Sequence, residues 1–329
     1  MPRDSESTSP HLETARILKD WLREVEFDLQ QPLRPFPTEL YDQLREWILS
    51  QGLKECQLDL ILNLLPTCTS AADKWYPRAS IRVKRYIALY TTFLLYVDDR
   101  AEKDLDGVLP DFRRIASRSS MGLQSTSCQD AGIALWLDLI VSETESLFGP
   151  YSTGVISKGF VDFILGNMAE AGLAESLTLP VKFASRSSQF IRDKTGAGEV
   201  YAHFLFPEHL INEGESFKMY IQCVRAMIDI INHVNDILSF FKECVVGTDE
   251  NTHIVNIAGA AGCAPQMILK QVCSEMSEAM KVVKNAFESM PQVAEIWHDF
   301  INGYIMWHIH HDRYRLKELG LLIFSDSQV

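Results

Sequence analysis

Apolar side chains recur along this chain at intervals of three and four, the spacing that lines one face of an α-helix. In ETARILKDWLREVEF the stripe is Ala15, Leu18, Trp21 and Leu22. The proline-rich QQPLRPFPTE breaks it, and LYDQLREWILSQGL resumes it to an end near Gly52. ECQLDLILNLLPT predicts a third helix, stopped by Pro66, which has no N–H to continue the ladder. A long apolar helix covers ASIRVKRYIALYTTFLLYVDDRAEKD. VLPDFRRIASRSS and SCQDAGIALWLDLIVSETESLFG follow, with a serine-rich loop between them. GFVDFILGNMAEAGLAE reads as helix, and SSQFIRDKTGAGEVYAHFLFP as helix, glycine break and short helix. SFKMYIQCVRAMIDIINHVNDILSFFKECV contains neither proline nor glycine and predicts one very long helix. APQMILKQVCSEMSEAMKVVKNAFESM and VAEIWHDFINGYIMWHIHHDRYRLKEL close the chain as helices. Strand alternation is scarce and no internal repeat is present. The predicted class is all-α: one helical domain over residues 13–329 behind a flexible tail at 1–12. Several helices are apolar on most faces, which predicts central positions for them.

Composition narrows the function. The chain has 329 residues, nearly half hydrophobic, and a formal net charge of −13. Such an acidic chain is a poor partner for nucleic acid. A phosphorylated ligand needs cations to reverse the local sign. Seven cysteines with no CxxC fit reduced thiols rather than a disulfide framework. The N-terminal MPRDSESTSP lacks an apolar core of the signal-peptide kind, and no apolar run reaches membrane-span length. The expectation is a soluble cytoplasmic protein.

Two carboxylate-bearing segments carry the chemistry. NDILSFFKE sets Asn235, Ser239 and Glu243 at i, i+4 and i+8, so three oxygen donors share one helix face. An amide, a hydroxyl and a carboxylate suit a hard cation such as Mg2+, which retains water and phosphate oxygens as further ligands. YVDDRAEKD ends a second apolar helix with Asp98, Asp99 and Glu102. Two such clusters facing each other across an apolar cleft can hold metal ions on a diphosphate while a hydrocarbon tail lies below. Singly, each feature has an ordinary explanation. DDRAEKD reads as a solvated helix end, Ser239 as a serine bonded to its own backbone, and Arg192 and Lys242 as surface charges. HHDRYRLKE, which contains Arg313, reads as a charged helix face. The case rests on their joint occurrence.

That pairing resembles the class I terpene synthases. DDRAE matches their aspartate-rich motif, and NDILSFFKE matches (N/D)Dxx(S/T)xx(K/R)E at every position. Arg192 in FIRDKTGAGE stands where the family carries a diphosphate-sensing arginine, and DRYRL supplies Arg313 and Tyr314 like the family's Arg-Tyr pair. The separations resemble those of fungal trichodiene synthase and its relatives, over roughly residues 15–316. One departure is Glu102, where an aspartate is expected. The resemblance implies an all-α bundle around a central apolar cavity, and a sesquiterpene synthase acting on farnesyl diphosphate. It implies three Mg2+ ions, with Mn2+ as a substitute, and a homodimer. It assigns Asp98 as the main ligand of the first cluster, with Glu102 and Glu170 assisting. Asn235, Ser239 and Glu243 hold the other metal, and Arg192, Lys242, Arg313 and Tyr314 hold the diphosphate. Asp99 pairs with Arg313 on closure. The residues one and two turns below the metal positions are Leu94 and Thr91, and Ile231 and Ile228. Their medium size suits a fifteen-carbon chain.

Two other readings stand beside it. A prenyl chain-elongating enzyme shares the fold but carries two DDxxD-type clusters. A non-catalytic helical scaffold would show internal periods. Zinc on His308 and His311 lacks an acidic or cysteine partner at matching spacing. Phe93, Tyr96, Phe163 and Trp307 are expected mainly in the core.

Overall fold

The structure is a computed structural model that describes residues 9–32, 34–118, 128–173, 181–247 and 252–321. The expected serine-rich loop lies mostly outside the described residues. Thirteen α-helices make up the described chain: α1 Pro10–Glu24, α2 Thr38–Leu49, α3 Glu55–Trp75, α4 Ile81–Lys103, α5 Leu105–Arg118, α6 Ala131–Glu143, α7 Pro150–Leu173, α8 Val181–Thr195, α9 Gly198–His203, α10 Glu213–Phe240, α11 His253–Ala261, α12 Pro265–Phe287 and α13 Pro291–His310. Residues 10–12 therefore belong to α1 rather than to a tail. Ser9 caps the Leu12 N–H, and Pro10 sits in the first turn, where its missing N–H costs nothing.

Pro66 does not end α3, contrary to expectation. A proline inside a helix costs about 3 kcal/mol. Ile61, Leu65, Cys68, Ala72 and Trp75 are all buried along the continuous face that packs on α4 and α13. Each large apolar side chain so buried contributes about 1.5–3 kcal/mol, so packing outweighs the lost hydrogen bond. The predicted final helix also stops early. It ends at His310, because His311 turns extended and Arg315 takes a positive φ of 57°. Asp312–Tyr314 is a short 3-10 turn, so Arg313 lies on a turn and not on a helix face. α11 is an element the periodicity did not suggest.

α10 is flanked by α9, α12 and α13, α7 by α8 and α9, and α4 by α3 and α6. Aromatic edges fill the joints. Trp136 of α6 meets Tyr90 at 5.2 Å and Phe160 at 4.6 Å, which pins α4 and α7 together. Trp75 of α3 meets Tyr201 at 5.6 Å, Tyr304 at 4.7 Å and Trp307 at 5.1 Å, joining α9 and α13. Phe93, Tyr96, Phe163 and Trp307 are all buried, as expected of core residues. The C-terminal part of α4 is tied down through polar groups. The Tyr96 hydroxyl donates to the Asp130 carboxylate at 2.9 Å, and Asp130 caps α6. No helix is long and apolar enough to cross a membrane among the described residues.

Candidate functional site

α4 delivers the first cluster because its apolar run buries Tyr86 to Leu94, Tyr96 and Val97 and then meets three acids. Asp98 is open to solvent yet ringed by protein atoms and by other acids. Burial first, then the negative charges of Glu170, Asp99 and Glu102, push its carboxyl up to about 6. Arg313 acts in the opposite sense. Glu170 of α7 lies near enough to Asp98 to raise its carboxyl, and its own carboxylate accepts the Thr195 hydroxyl of α8 at 3.1 Å. Glu102 is exposed one turn beyond Asp98. Asp99 pairs with Lys103 at 3.4 Å on its own helix and not with Arg313.

α10 delivers the second cluster. Its last two regular turns carry Asn235 and Ser239, and the chain then widens into a π-helical turn, Phe241–Val246, that carries Lys242 and Glu243. Such wider turns recur at functional positions because they re-aim side chains. Ser239 and Glu243 nevertheless meet, the hydroxyl donating to the carboxylate at 2.8 Å. Lys242 holds the other Glu243 oxygen at 3.0 Å and lies 5.6 Å above the Tyr314 ring.

Arg192 reaches this cluster from α8. It ion-pairs with Asp236 at 2.9 Å, and it donates to the Asn232 carbonyl at 3.0 Å and to Asn235 Oδ1 at 3.1 Å. Burial raises the Asp236 carboxyl, but Arg192 and then His233 outweigh it and hold it down to about 2. The approach of α8 to α10 depends on the glycines of TGAGE. A Cβ on Gly196 or Gly198 would come 2.3 Å or 2.5 Å from Asn232 Oδ1. Ala197 between them takes φ 51°.

His233 donates to the second Asp236 oxygen at 2.9 Å, and the His253 ring lies 4.8 Å from the His233 ring. His253 is in turn held by Ser188 at 2.8 Å. Ser188 and Arg192 are one turn apart on α8, so the chain of contacts closes on itself through α8, α11 and α10. The ligand-type atoms of His233, Asp236 and His253 lie within 4.8 Å of one another. A dication there would sit against the Arg192 guanidinium in a buried place, so the arrangement suits a brace better than a metal centre.

The C-terminal turn bridges the two clusters. Arg313 is exposed, forms no ion pair among the described residues, and lies near enough to Asp98 to lower its carboxyl. Tyr314 is buried between Lys242, Glu243 and the Asn235 amide. His308 and His311 do not share a metal. His308 turns to Asn235 and the Tyr304 carbonyl, and His311 to Thr67. Burial drives the His308 imidazole down to about 3, so it is neutral. Leu94 and Thr91 on α4, and Ile231 and Ile228 on α10, are buried one and two turns before the cluster residues. The Tyr201 hydroxyl donates to Thr91 and the Tyr304 hydroxyl to the Ile231 carbonyl. The small concavity at Trp75, Tyr76, Arg78, Phe204 and Ile296 holds none of the predicted site residues.

The predicted positions fall into two groups, Asp98 with Asp99, Glu102 and Glu170, and Arg192 with Asn235, Ser239, Lys242, Glu243 and Tyr314; Arg313 acts on Asp98 of the first, and Asp99 and Arg313 are not paired. Asp236, His233 and His308 went unassigned in the sequence. Asp236 is the second letter of the metal motif itself and could have been read there. The two histidines carry no linear signal. The donor set fits a hard divalent cation. Burial first, then neighbouring acids whose charge a cation would offset, hold the Asp98 carboxyl above its ordinary value, and the second cluster offers an amide, a hydroxyl and a carboxylate.

Known proteins resemble the chain in sequence and in fold. The (E)-beta farnesene synthase of Metarhizium brunneum is 25% identical over 266 residues, covering 80% of this chain and 78% of that enzyme. Terpene synthase BipA of Cochliobolus sativus is 29% identical over 249 residues, covering 74% and 72%. Among solved structures, the linalool/nerolidol synthase of Streptomyces clavuligerus superposes with a TM-score of 0.65 at 14% identity, over 86% of this chain and 99% of that one. Germacradien-4-ol synthase of Streptomyces citricolor gives 0.61 at 16% identity, over 87% and 99%. These two establish the fold alone. The model of the trichodiene synthase (TRI5) family matches residues 147–322, more than half of the chain. The chain belongs to the trichodiene synthase (TRI5) family and is a terpene synthase, a lyase acting on a prenyl diphosphate.

Proposed function

We propose that the protein is a Mg2+-dependent sesquiterpene synthase that ionises farnesyl diphosphate and cyclises the cation to a hydrocarbon or alcohol. The observation that supports this is the turn 312–314, where Arg313 lies near enough to Asp98 to lower its carboxyl and Tyr314 lies against Lys242 and Asn235 of the second cluster. Similarity to a farnesene synthase, a longiborneol synthase and trichodiene synthases supports the fifteen-carbon substrate.

Asp98, with Glu102 and Glu170, would hold one part of the metal complement, and Asn235, Ser239 and Glu243 the other. When bound, Mg2+ supplies Lewis-acid polarisation of phosphate oxygens. Arg192, Lys242, Arg313 and Tyr314 add charge-assisted hydrogen bonds to the diphosphate. The allylic C–O bond then breaks with its electron pair leaving on the diphosphate oxygen. The apolar floor at Leu94, Thr91, Ile228 and Ile231 keeps water from the cation. Aromatic faces contribute about 0.5–2 kcal/mol each to its stability. Tyr201 and Tyr304 hydrogen-bond to that floor, at Thr91 and at the Ile231 carbonyl. Proton loss from carbon, or capture of water with loss of a proton, ends the sequence. Purified protein with Mg2+ and geranyl, farnesyl or geranylgeranyl diphosphate should release volatile C15 products with the highest kcat/KM for farnesyl diphosphate. A kcat/KM for geranylgeranyl diphosphate equal or higher would overturn the chain-length assignment. Elongated diphosphates on adding isopentenyl diphosphate would favour the prenyl-elongating alternative.

A further inference from the structure

His308 is fully buried on α13, and both of its ring nitrogens are engaged. Nδ1 lies 2.7 Å from the Tyr304 carbonyl oxygen, one turn earlier on the same helix. A carbonyl can only accept, so Nδ1 must carry the proton. A neutral imidazole has one N–H, so Nε2 presents a lone pair. The atom it faces, at 3.1 Å, is the side-chain nitrogen of Asn235. The amide NH2 is thereby drawn toward His308, and the amide oxygen is turned to the opposite side. Arg192 supplies an independent check: its guanidinium, which can only donate, meets Asn235 Oδ1 at 3.1 Å. A flipped amide would set NH2 against the guanidinium and oxygen against the imidazole lone pair, losing both bonds.

The ring itself cannot swing. Trp75 stacks parallel to it with centroids 5.9 Å apart, and Tyr304 and Tyr314 close on it at 4.5 Å each. An asparagine is the ligand position that most needs such a lock, because its two ends are nearly the same shape and only one can bind a cation.

We propose that His308 is a positioning residue that fixes the Asn235 amide with its oxygen toward the metal face of α10. The proposal rests on the reading of Asn235 as a metal ligand given above. Removing an outer partner of a metal ligand typically weakens metal binding about 10–100-fold.

The test measures Mn2+ binding by electron paramagnetic resonance in the presence of inorganic pyrophosphate, for wild type, His308→Phe, His308→Gln and Asn235→Ala. His308→Phe keeps a flat ring but lacks the acceptor, and should weaken Mn2+ binding by about tenfold or more. His308→Gln can still present an oxygen to Asn235 and should restore most of the affinity, which a merely space-filling role would not predict. Unchanged affinity in His308→Phe, with Asn235→Ala clearly weakened, overturns the proposal and leaves the metal assignment standing. Unchanged affinity in Asn235→Ala overturns the metal assignment, and the proposal with it. A measurement on the unaltered protein guards against a misfolded variant. The imidazole 15N shifts of His308 should report the Nδ1–H tautomer, and finding the Nε2–H tautomer would overturn the proposal directly.

Discussion

At the scale of single residues, the unequal settings of the acids predict unequal effects. Glu170, Asp99 and Glu102 all act on the Asp98 carboxyl, whereas Glu102 stands one turn further toward the end of α4. Asp98→Ala should lower kcat by on the order of 10²–10³, the size of loss seen when one preorganised transition-state partner is removed. Glu102→Ala should cost far less, and equal losses in steady-state assays would contradict the assignment. Asn235→Ala, or Ser239→Ala with Glu243→Ala, should abolish turnover with the circular dichroism spectrum unchanged. The Asp98 carboxyl also predicts a pH dependence. Its value near 6 lies above the ordinary 3.8, so its ionisation opposes the metal-free fold. Stability relative to Asp98→Asn should fall as pH rises from about 4 to about 6 and level off above. Urea midpoints in EDTA would show this. Binding Mg2+ below pH 6 must expel that proton, so apparent affinity should drop as pH falls through 6 and stay flat above it.

At the scale of elements, the helices with sustained periods were legible, since burial follows the 3.6-residue repeat. The misses have separate causes. Pro66 lies in a face buried enough to override it. α11, HIVNIAGAA, is short and made largely of small side chains, so its stripe is faint. α13 ends where a run of charges gave no stop signal, and backbone turns at His311 and Arg315 decide it. The π-helical turn after Phe240 has no composition cue at all. One junction predicts a large stability effect. Glu213, at the start of α10, accepts the N–H groups of Tyr151 and Ser152 and the Ser152 hydroxyl, at 2.7–2.8 Å, and so caps α7 from another helix. Burial raises its carboxyl, yet those donors outweigh burial and hold it below the ordinary value. Its contribution is therefore present at neutral pH and lost as pH falls through that lowered value. Glu213→Ala strands buried donors and should cost about 3 kcal/mol, read as a lower urea midpoint.

At the scale of the whole molecule, the candidate site was legible because its metal motif is linear. NDILSFFKE and DDRAE each sit on one helix, so a single sequence displays them. What holds them in register was not legible. Arg192 on Asp236, His308 on Asn235 and Thr195 on Glu170 each join different helices that only the fold brings together. The separation of Asp99 from Arg313 belongs to this scale too. Asp99 rests on Lys103, and Arg313 has no ion-pair partner among the described residues. If they join when diphosphate binds, the turn 312–314 caps the site and excludes water during ionisation. Asp99→Asn and Arg313→Lys should then lower turnover and shift products toward acyclic or early-terminated species by gas chromatography. Lower rates with an unchanged product ratio would sink the closure idea.

The Arg192–Asn235 contact has a further consequence, one of reciprocity between two ligands. The amide oxygen that a cation needs is already satisfied by a guanidinium. A cation arriving alone must displace that cation-bearing side chain and sit near it, while an anion arriving with it gives the freed arginine a new partner. Cation and anion should therefore each tighten the other's binding by one common factor, as any coupling free energy requires. Calorimetric titration of Mg2+ with and without inorganic pyrophosphate, and of pyrophosphate with and without Mg2+, should return the same factor. Arg192→Ala should shrink it from both directions alike.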